Sequence, residues 1–118
     1  MTTAKQNIVQ YYVVNEQLGM SPGKIAAQAA HAATMMMVHY LLNDTKHREA
    51  FEAWFAQGQT KIVLRAPEEV LQKLGEEGFV SIRDAGHTEI PAGSLTVVVL
   101  PPMEKEAARR YVGGLKLY

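Results

Sequence analysis

Gly19-Met20-Ser21-Pro22-Gly23-Lys24-Ile25-Ala26-Ala27-Gln28-Ala29-Ala30-His31-Ala32 reads as a loop that turns into a helix. Ser21 is a good N-cap, and Pro22 suits the first helical position, where a missing N–H costs nothing. At about 100° per residue, Lys24, Gln28 and His31 fall in one narrow polar stripe, beside an apolar face of Ile25, Ala29, Ala32 and Met36. Lys24 stands in the first turn, where the helix dipole disfavours a cation. An anion that this cation meets, beside free backbone N–H groups, accounts for it better than helix stability does. A solvated face would explain a lone Lys. Three aligned polar groups on an Ala-rich helix point to a site.

The elements on either side set the class. Ile8 to Val14 is apolar and β-rich, and reads as a strand; the Ser21 helix is expected to run to about Leu42, before Asn43-Asp44. Arg48 to Ala56 is a second helical segment, with Phe51, Trp54 and Phe55 at core spacing and Gly58 after its end. Thr60 to Ala66 alternates as a strand should, and Pro67 opens a third helix that stops near Gly78. Phe79–Arg83 and Leu95–Leu100 are two further strands, Glu104–Val112 a last helix, and Leu115-Lys116-Leu117-Tyr118 a short tail. No repeat and no linker interrupts them. This alternation predicts one α/β domain over residues 1–118, with a four-stranded sheet covered by helices.

Composition excludes several classes of function. The 118 residues are 47% hydrophobic and 20% charged, enough to bury a core. Without cysteine there is no disulfide, thiolate nucleophile or cysteine-rich zinc site. Residues 1–7 carry no apolar signal segment, and no apolar run approaches the roughly 20 residues of a membrane span, so the cytoplasm is the expected location. The formal net charge is zero and the pI is about 6.9. A polyanion would therefore have to meet a local basic patch, for which Lys24, Lys61, Arg65, Arg83 and Lys116 are the candidates. Met35-Met36-Met37 reads as adaptable core filling. A homodimer stays open, with Tyr11, Tyr12 or these methionines at an interface or, equally, in the core.

A second constellation lies between the last two long strands, in Asp84-Ala85-Gly86-His87-Thr88-Glu89-Ile90-Pro91-Ala92-Gly93-Ser94-Leu95-Thr96. Asp84 closes a strand, Gly86 permits a turn, and Thr88, Ser94 and Thr96 add hydroxyls in a connection of the kind that carries reactive groups. Asp and Thr beside Gly and Pro also form turns by bonding their own backbone. There is no G-x-S-x-G, H-E-x-x-H, P-loop or G-x-G-x-x-G. His31, His39, His47 and His87 show no metal-ligand spacing, and His39 and His47 fit a solvated surface.

Together these stretches resemble the type II peptidyl-tRNA hydrolases. The resemblance rests on Met20 to Gln28 with His31-Ala32, on Asp84-Ala85-Gly86 with Thr88, on Pro91-Ala92-Gly93-Ser94 with Thr96, and on the ending Gly114-Leu115-Lys116-Leu117-Tyr118. It implies a mixed four-stranded sheet with helices on both faces. It also implies hydrolysis of the ester between a peptide and tRNA, with neither a metal nor an organic cofactor. Lys24 and Asp84 match the family's functional lysine and aspartate, and Thr88 and Thr96 match its hydroxyl positions. Gln28, His31, His87 and Ser94 are expected to line the substrate. On this reading Asp84 positions or deprotonates water, Lys24 holds the 3′-terminal phosphate or stabilises negative charge, and the two threonines orient substrate or water. A Lys24–Asp84 ion pair that only ties helix to sheet is the alternative role.

The chain also departs from the family. Asn15-Glu16-Gln17 stands where Arg, any residue, then Asp is usual, and His87 where Arg or Lys is common. These changes remove positive charge near the expected site, or make it pH-dependent, and each lost phosphate contact weakens polyanion binding. They leave a second reading, a non-catalytic domain of the same fold that engages another ligand or protein.

Overall fold

The strand expected at Ile8–Val14 is β1 (Ile8–Asn15), and all eight of its residues are buried. Burial on both of its faces accounts for its nearly unbroken apolar run. The computed structural model describes residues 7–43, 48–86 and 89–118. His47, His87 and Thr88 lie outside them.

From β1 the chain passes through a short 3-10 turn (Glu16–Leu18) into α1 (Pro22–Asn43) and then α2 (Arg48–Ala56). Next come β2 (Lys61–Ala66), α3 (Glu68–Glu76), β3 (Val80–Arg83), β4 (Leu95–Val99), β5 (Met103–Glu104), α4 (Lys105–Val112) and β6 (Lys116–Leu117). The sheet order is β3-β4-β1-β2-β6, with β5 paired to the start of β1. β1 and β2 run parallel, and the other pairings are antiparallel. The result is one α/β domain with a mixed sheet.

The expected count of four strands is corrected to six among the described residues. Two-residue strands carry no readable period, and the tail becomes an edge strand because Lys116 and Leu117 pair with Arg65 and Leu64. Among the described residues, no helix is long and apolar enough to cross a membrane.

Alternate residues of the central strands feed two separate cores. Tyr12, Val14, Val97 and Val99 pack with Ala32, Met36 and Tyr40 of α1, and Phe51 of α2 joins them. Val9, Tyr11, Val13 and Val98 pack instead with Leu71 and Leu74 of α3 and with Ala108 and Val112 of α4. Each fully buried Val contributes roughly 2 kcal/mol of transfer free energy. Tyr11 and Tyr12 are thus core residues rather than interface residues, and the methionines divide, with Met36 in the core and Met35 exposed.

The buried row of α1 is Gln28, Ala32, Met36 and Tyr40, one residue every four. Its apolar part packs on the sheet, and its polar N-terminal end reaches the sheet's edge. There the C-terminal ends of β1, β2 and β3 lie beside the start of β4.

Candidate active site

Lys24 and Asp84 meet at that edge. Lys24 Nζ lies 2.6 Å from Asp84 Oδ1, with the two side chains 9% and 4% exposed. Gln28 Nε2 approaches the same oxygen at 3.5 Å. Thr96 Oγ1 donates to Gln28 Oε1 at 2.5 Å, with the Ile82 carbonyl as a second acceptor at 3.2 Å. Asp84 Oδ2 accepts from the Gly86 N–H at 2.7 Å. The anion that the position of Lys24 calls for is therefore supplied by the chain itself.

Local structure explains how these groups are held. Asp84 leaves β3 into a turn closed by two backbone bonds, Asp84 N to Ser94 O and Gly93 N to Asp84 O. Gly86 adopts φ +84°, and a Cβ there would stand 2.6 Å from that of Ala92, so only glycine fits this crossing. Arg83 Nη1 donates to the Gly93 carbonyl from the outer side.

Thr96 reaches Gln28 through a bulge. Ile82 pairs with Val97 but Arg83 with Leu95, so β4 carries one extra residue opposite β3. Strict alternation from Val97 would send Thr96 toward α3; the bulge turns it toward α1 and puts Leu95 in the α3 core.

The start of α1 is capped twice. The Ser21 hydroxyl accepts from the Lys24 N–H at 3.3 Å, as expected of an N-cap. Glu89 then accepts from the Ser21 N–H at 2.7 Å and from its hydroxyl at 2.9 Å. This is the chemistry of a capping box, with the carboxylate coming from 68 residues away instead of the helix's own third position. The Glu89 carboxyl is held below its ordinary value, first by the Ser21 backbone N–H, then by the Ser21 hydroxyl, with a smaller contribution from Lys24.

Four of the eight residues expected at the site, Lys24, Gln28, Asp84 and Thr96, come together. His31 is exposed on α1. It lies about 60° from Gln28 around the helix, on the side away from the buried row. Ser94 donates its hydroxyl to the Pro91 carbonyl at 2.7 Å, closing the turn beside Asp84. His87 and Thr88 fall outside the described residues. Among those residues, no group of three or more His, Asp or Glu side chains is arranged to hold a metal.

The candidate basic residues only partly converge. Arg83 ends β3, and Arg65 and Lys116 face each other across β2 and β6 at the same end of the sheet. Lys61 is at the other end of β2, over the Trp54 ring.

Asn15 and Gln17, the departures from the family pattern, have structural partners. Asn15 Oδ1 accepts from the Gln17 N–H, and Asn15 Nδ2 donates to Leu95 O at 2.9 Å and to Glu68 Oε1 at 3.1 Å. Gln17 Oε1 accepts from the Glu68 N–H at 2.9 Å and so caps α3. The sequence carried no signal for these contacts or for Glu89, because every partner but one is more than 50 residues distant.

Residues 8–118 match the family described as Peptidyl-tRNA hydrolase PTH2. The chain is 39% identical over 117 residues to a peptidyl-tRNA hydrolase of Aeropyrum pernix, covering 92% of this chain and 94% of that one. It is 38% identical over 117 residues to a peptidyl-tRNA hydrolase of Thermococcus onnurineus, covering 92% and 95%. Against peptidyl-tRNA hydrolase 2 of Saccharomyces cerevisiae the identity is again 38%, over 90% of this chain and 56% of the longer yeast protein. This chain belongs to the Peptidyl-tRNA hydrolase PTH2 family.

Proposed function

We propose that this chain is a peptidyl-tRNA hydrolase that cleaves the ester joining a peptide, or an N-blocked amino acid, to tRNA, and that residues 1–118 act as one domain in the cytoplasm. The observation that carries the site assignment is the convergence of Lys24, Asp84, Gln28 and Thr96 on one point at the sheet's C-terminal edge. In α/β folds that edge is where ligands bind.

Asp84 accepts a proton from water as the water oxygen attacks the ester carbonyl carbon. The bond from that carbon to the ribose oxygen then breaks, and the proton passes to the departing ribose oxygen, which leaves as a hydroxyl. Lys24 is placed to stabilise the developing oxyanion or the adjacent phosphate once substrate draws it from Asp84. Thr96 and Gln28 orient the carboxylate, and Thr88 is assigned to substrate or water by family resemblance alone. Arg65, Arg83 and Lys116 offer phosphate contacts at the same end of the sheet. A homodimer is part of the proposal, with the exposed row Met35, Val38, Leu41 and Leu42 as the available surface; sedimentation equilibrium tests it.

The deciding experiment follows release of a labelled N-acetyl-aminoacyl group from tRNA by the wild type, Asp84→Ala and Lys24→Ala. Turnover by wild type that collapses in both folded variants supports the reading. A folded wild type without turnover overturns it.

A further inference from the structure

Asn15 is fully buried, yet it is polar and ends a strand buried along its whole length. Its backbone still pairs with Ala66 of β2. On its other side the ladder with β4 stops one residue earlier, at Val14 and Val97. Continuing that register would set Asn15 opposite Thr96, the residue displaced by the bulge. The Asn15 side chain takes over where the backbone ladder fails. Its Nδ2 donates 2.9 Å to the carbonyl of Leu95, the residue that shares the bulge with Thr96. A buried carbonyl without a donor would carry an uncompensated desolvation cost, and this bond supplies the Leu95 carbonyl with a donor at the bulge.

We infer that Asn15 is a positioning residue for the site, because its carboxamide holds the Leu95 carbonyl and thereby the bulge that turns Thr96 onto Gln28. The inference deepens the proposed function and rests on its site. The route is continuous: Asn15 to Leu95 O, Thr96 Oγ1 to Gln28 Oε1, and Gln28 Nε2 to Asp84 Oδ1. Glu68 supports it from α3, accepting the same Asn15 amide at 3.1 Å. Asn15 thus holds the reactive edge together without touching substrate. The loss of the family's usual Arg here therefore does not mark a site that has been abandoned.

Asn15→Asp keeps the acceptor for the Gln17 N–H and removes the donor to Leu95. Because it sets a carboxylate against Glu68, it is also made with Glu68→Gln, which relieves that repulsion without restoring a donor to Leu95. Val13→Ala, a core truncation on the same face of β1, controls for lost stability. Three quantities are read: the Tm, the NMR shifts of the Gln28 side-chain amide, and kcat and KM on N-acetyl-aminoacyl-tRNA. The inference expects both Asn15 variants to shift the Gln28 amide and to lower kcat about ten-fold or more, with KM within about two-fold. Val13→Ala is expected to lower Tm while leaving the Gln28 amide and kcat near wild type.

A folded double variant with wild-type Gln28 shifts overturns the inference. So does a loss of kcat no larger than that of Val13→Ala at equal Tm. If the wild type itself shows no turnover, the hydrolase reading fails, and the Gln28 shifts still decide the role of Asn15.

Discussion

Lys24 Nζ and Asp84 Oδ1 stand 2.6 Å apart across 60 residues of sequence, in a pocket of side chains that leaves the carboxylate almost no contact with solvent. The pair joins the first turn of α1 to the end of β3, a structural role, and the proposed function gives it a chemical one as well. The two roles separate by mutation. Removing either partner alone leaves an uncompensated charge, and Lys24→Met or Asp84→Asn should each cost about 3 kcal/mol in urea unfolding. The double variant should recover most of that loss, since two neutral groups of similar volume replace a buried pair at little net cost. Activity should stay at least about 100-fold down in all three, because each lacks the base Asp84, the cation Lys24 assigned to the oxyanion, or both. Recovery of turnover along with stability in the double variant would reduce the pair to a tether.

Gly86 sets where Asp84 points. Its backbone N–H donates 2.7 Å to Asp84 Oδ2, and its φ of +84° brings it against the Ala92 backbone. Gly86→Ala introduces a Cβ 2.8 Å from the Ala92 Cα and 2.9 Å from its nitrogen, contacts that only a backbone shift can relieve. The expected result is a loss of about 2 kcal/mol of stability, from the left-handed conformation and the collision together. With the Gly86 N–H displaced, kcat should fall about ten-fold. Stopped unfolding curves at wild-type position, or an unchanged kcat, would show that the turn has room to adjust.

Glu89 makes the start of α1 sensitive to acid. Its carboxyl is held below the ordinary 4.5, chiefly by the Ser21 N–H, so it binds protons less readily folded than unfolded. Its contribution to stability is therefore fully present above pH 4.5 and is lost as pH falls through the lower, folded value. Between pH 6 and pH 3 the wild type should lose more stability than Glu89→Gln, which stays neutral throughout. Parallel stability profiles for the two proteins over that range would remove Glu89 from the cap.

The elements with a strong period were legible in the sequence. β1 is readable from its nearly unbroken β-branched and aromatic run, and α1 from Ser21-Pro22 and the spacing of Ala32, Met36 and Tyr40. The site was legible in part. Lys24 stands out because a first-turn cation opposes the helix dipole; its partner Asp84 stands out as a strand-end residue in a loop rich in hydroxyls, and only its role comes from family resemblance. His31 was grouped with Gln28 because a narrow stripe on a wheel ignores which side of the stripe meets the sheet. The direction of Thr96 is not legible at all, since the alternation of Leu95–Val99 hides a bulge opposite Arg83 whose Leu95 carbonyl meets Asn15, 80 residues away in sequence. Asn15, Glu68 and Glu89 act through contacts distant in sequence, and no local pattern encodes those.

Thr96 offers the sharpest test of the site's internal wiring. It is fully buried, and its hydroxyl faces Gln28 Oε1, which leaves the Gln28 amide nitrogen directed at Asp84. Thr96→Val keeps the shape and removes the donor, leaving a buried amide oxygen without its partner at a cost of about 1–3 kcal/mol. Gln28 is then free to rotate its amide, and its oxygen would repel the carboxylate it now supports. Thr96→Ser keeps the hydroxyl and gives up one methyl, about 1 kcal/mol of burial. The expected order in kcat is wild type and Thr96→Ser within a few-fold, with Thr96→Val lower by about 100-fold. A Thr96→Val enzyme as fast as Thr96→Ser would mean that Gln28 holds its orientation unaided, and the chain from the bulge to Asp84 would be broken at its middle link.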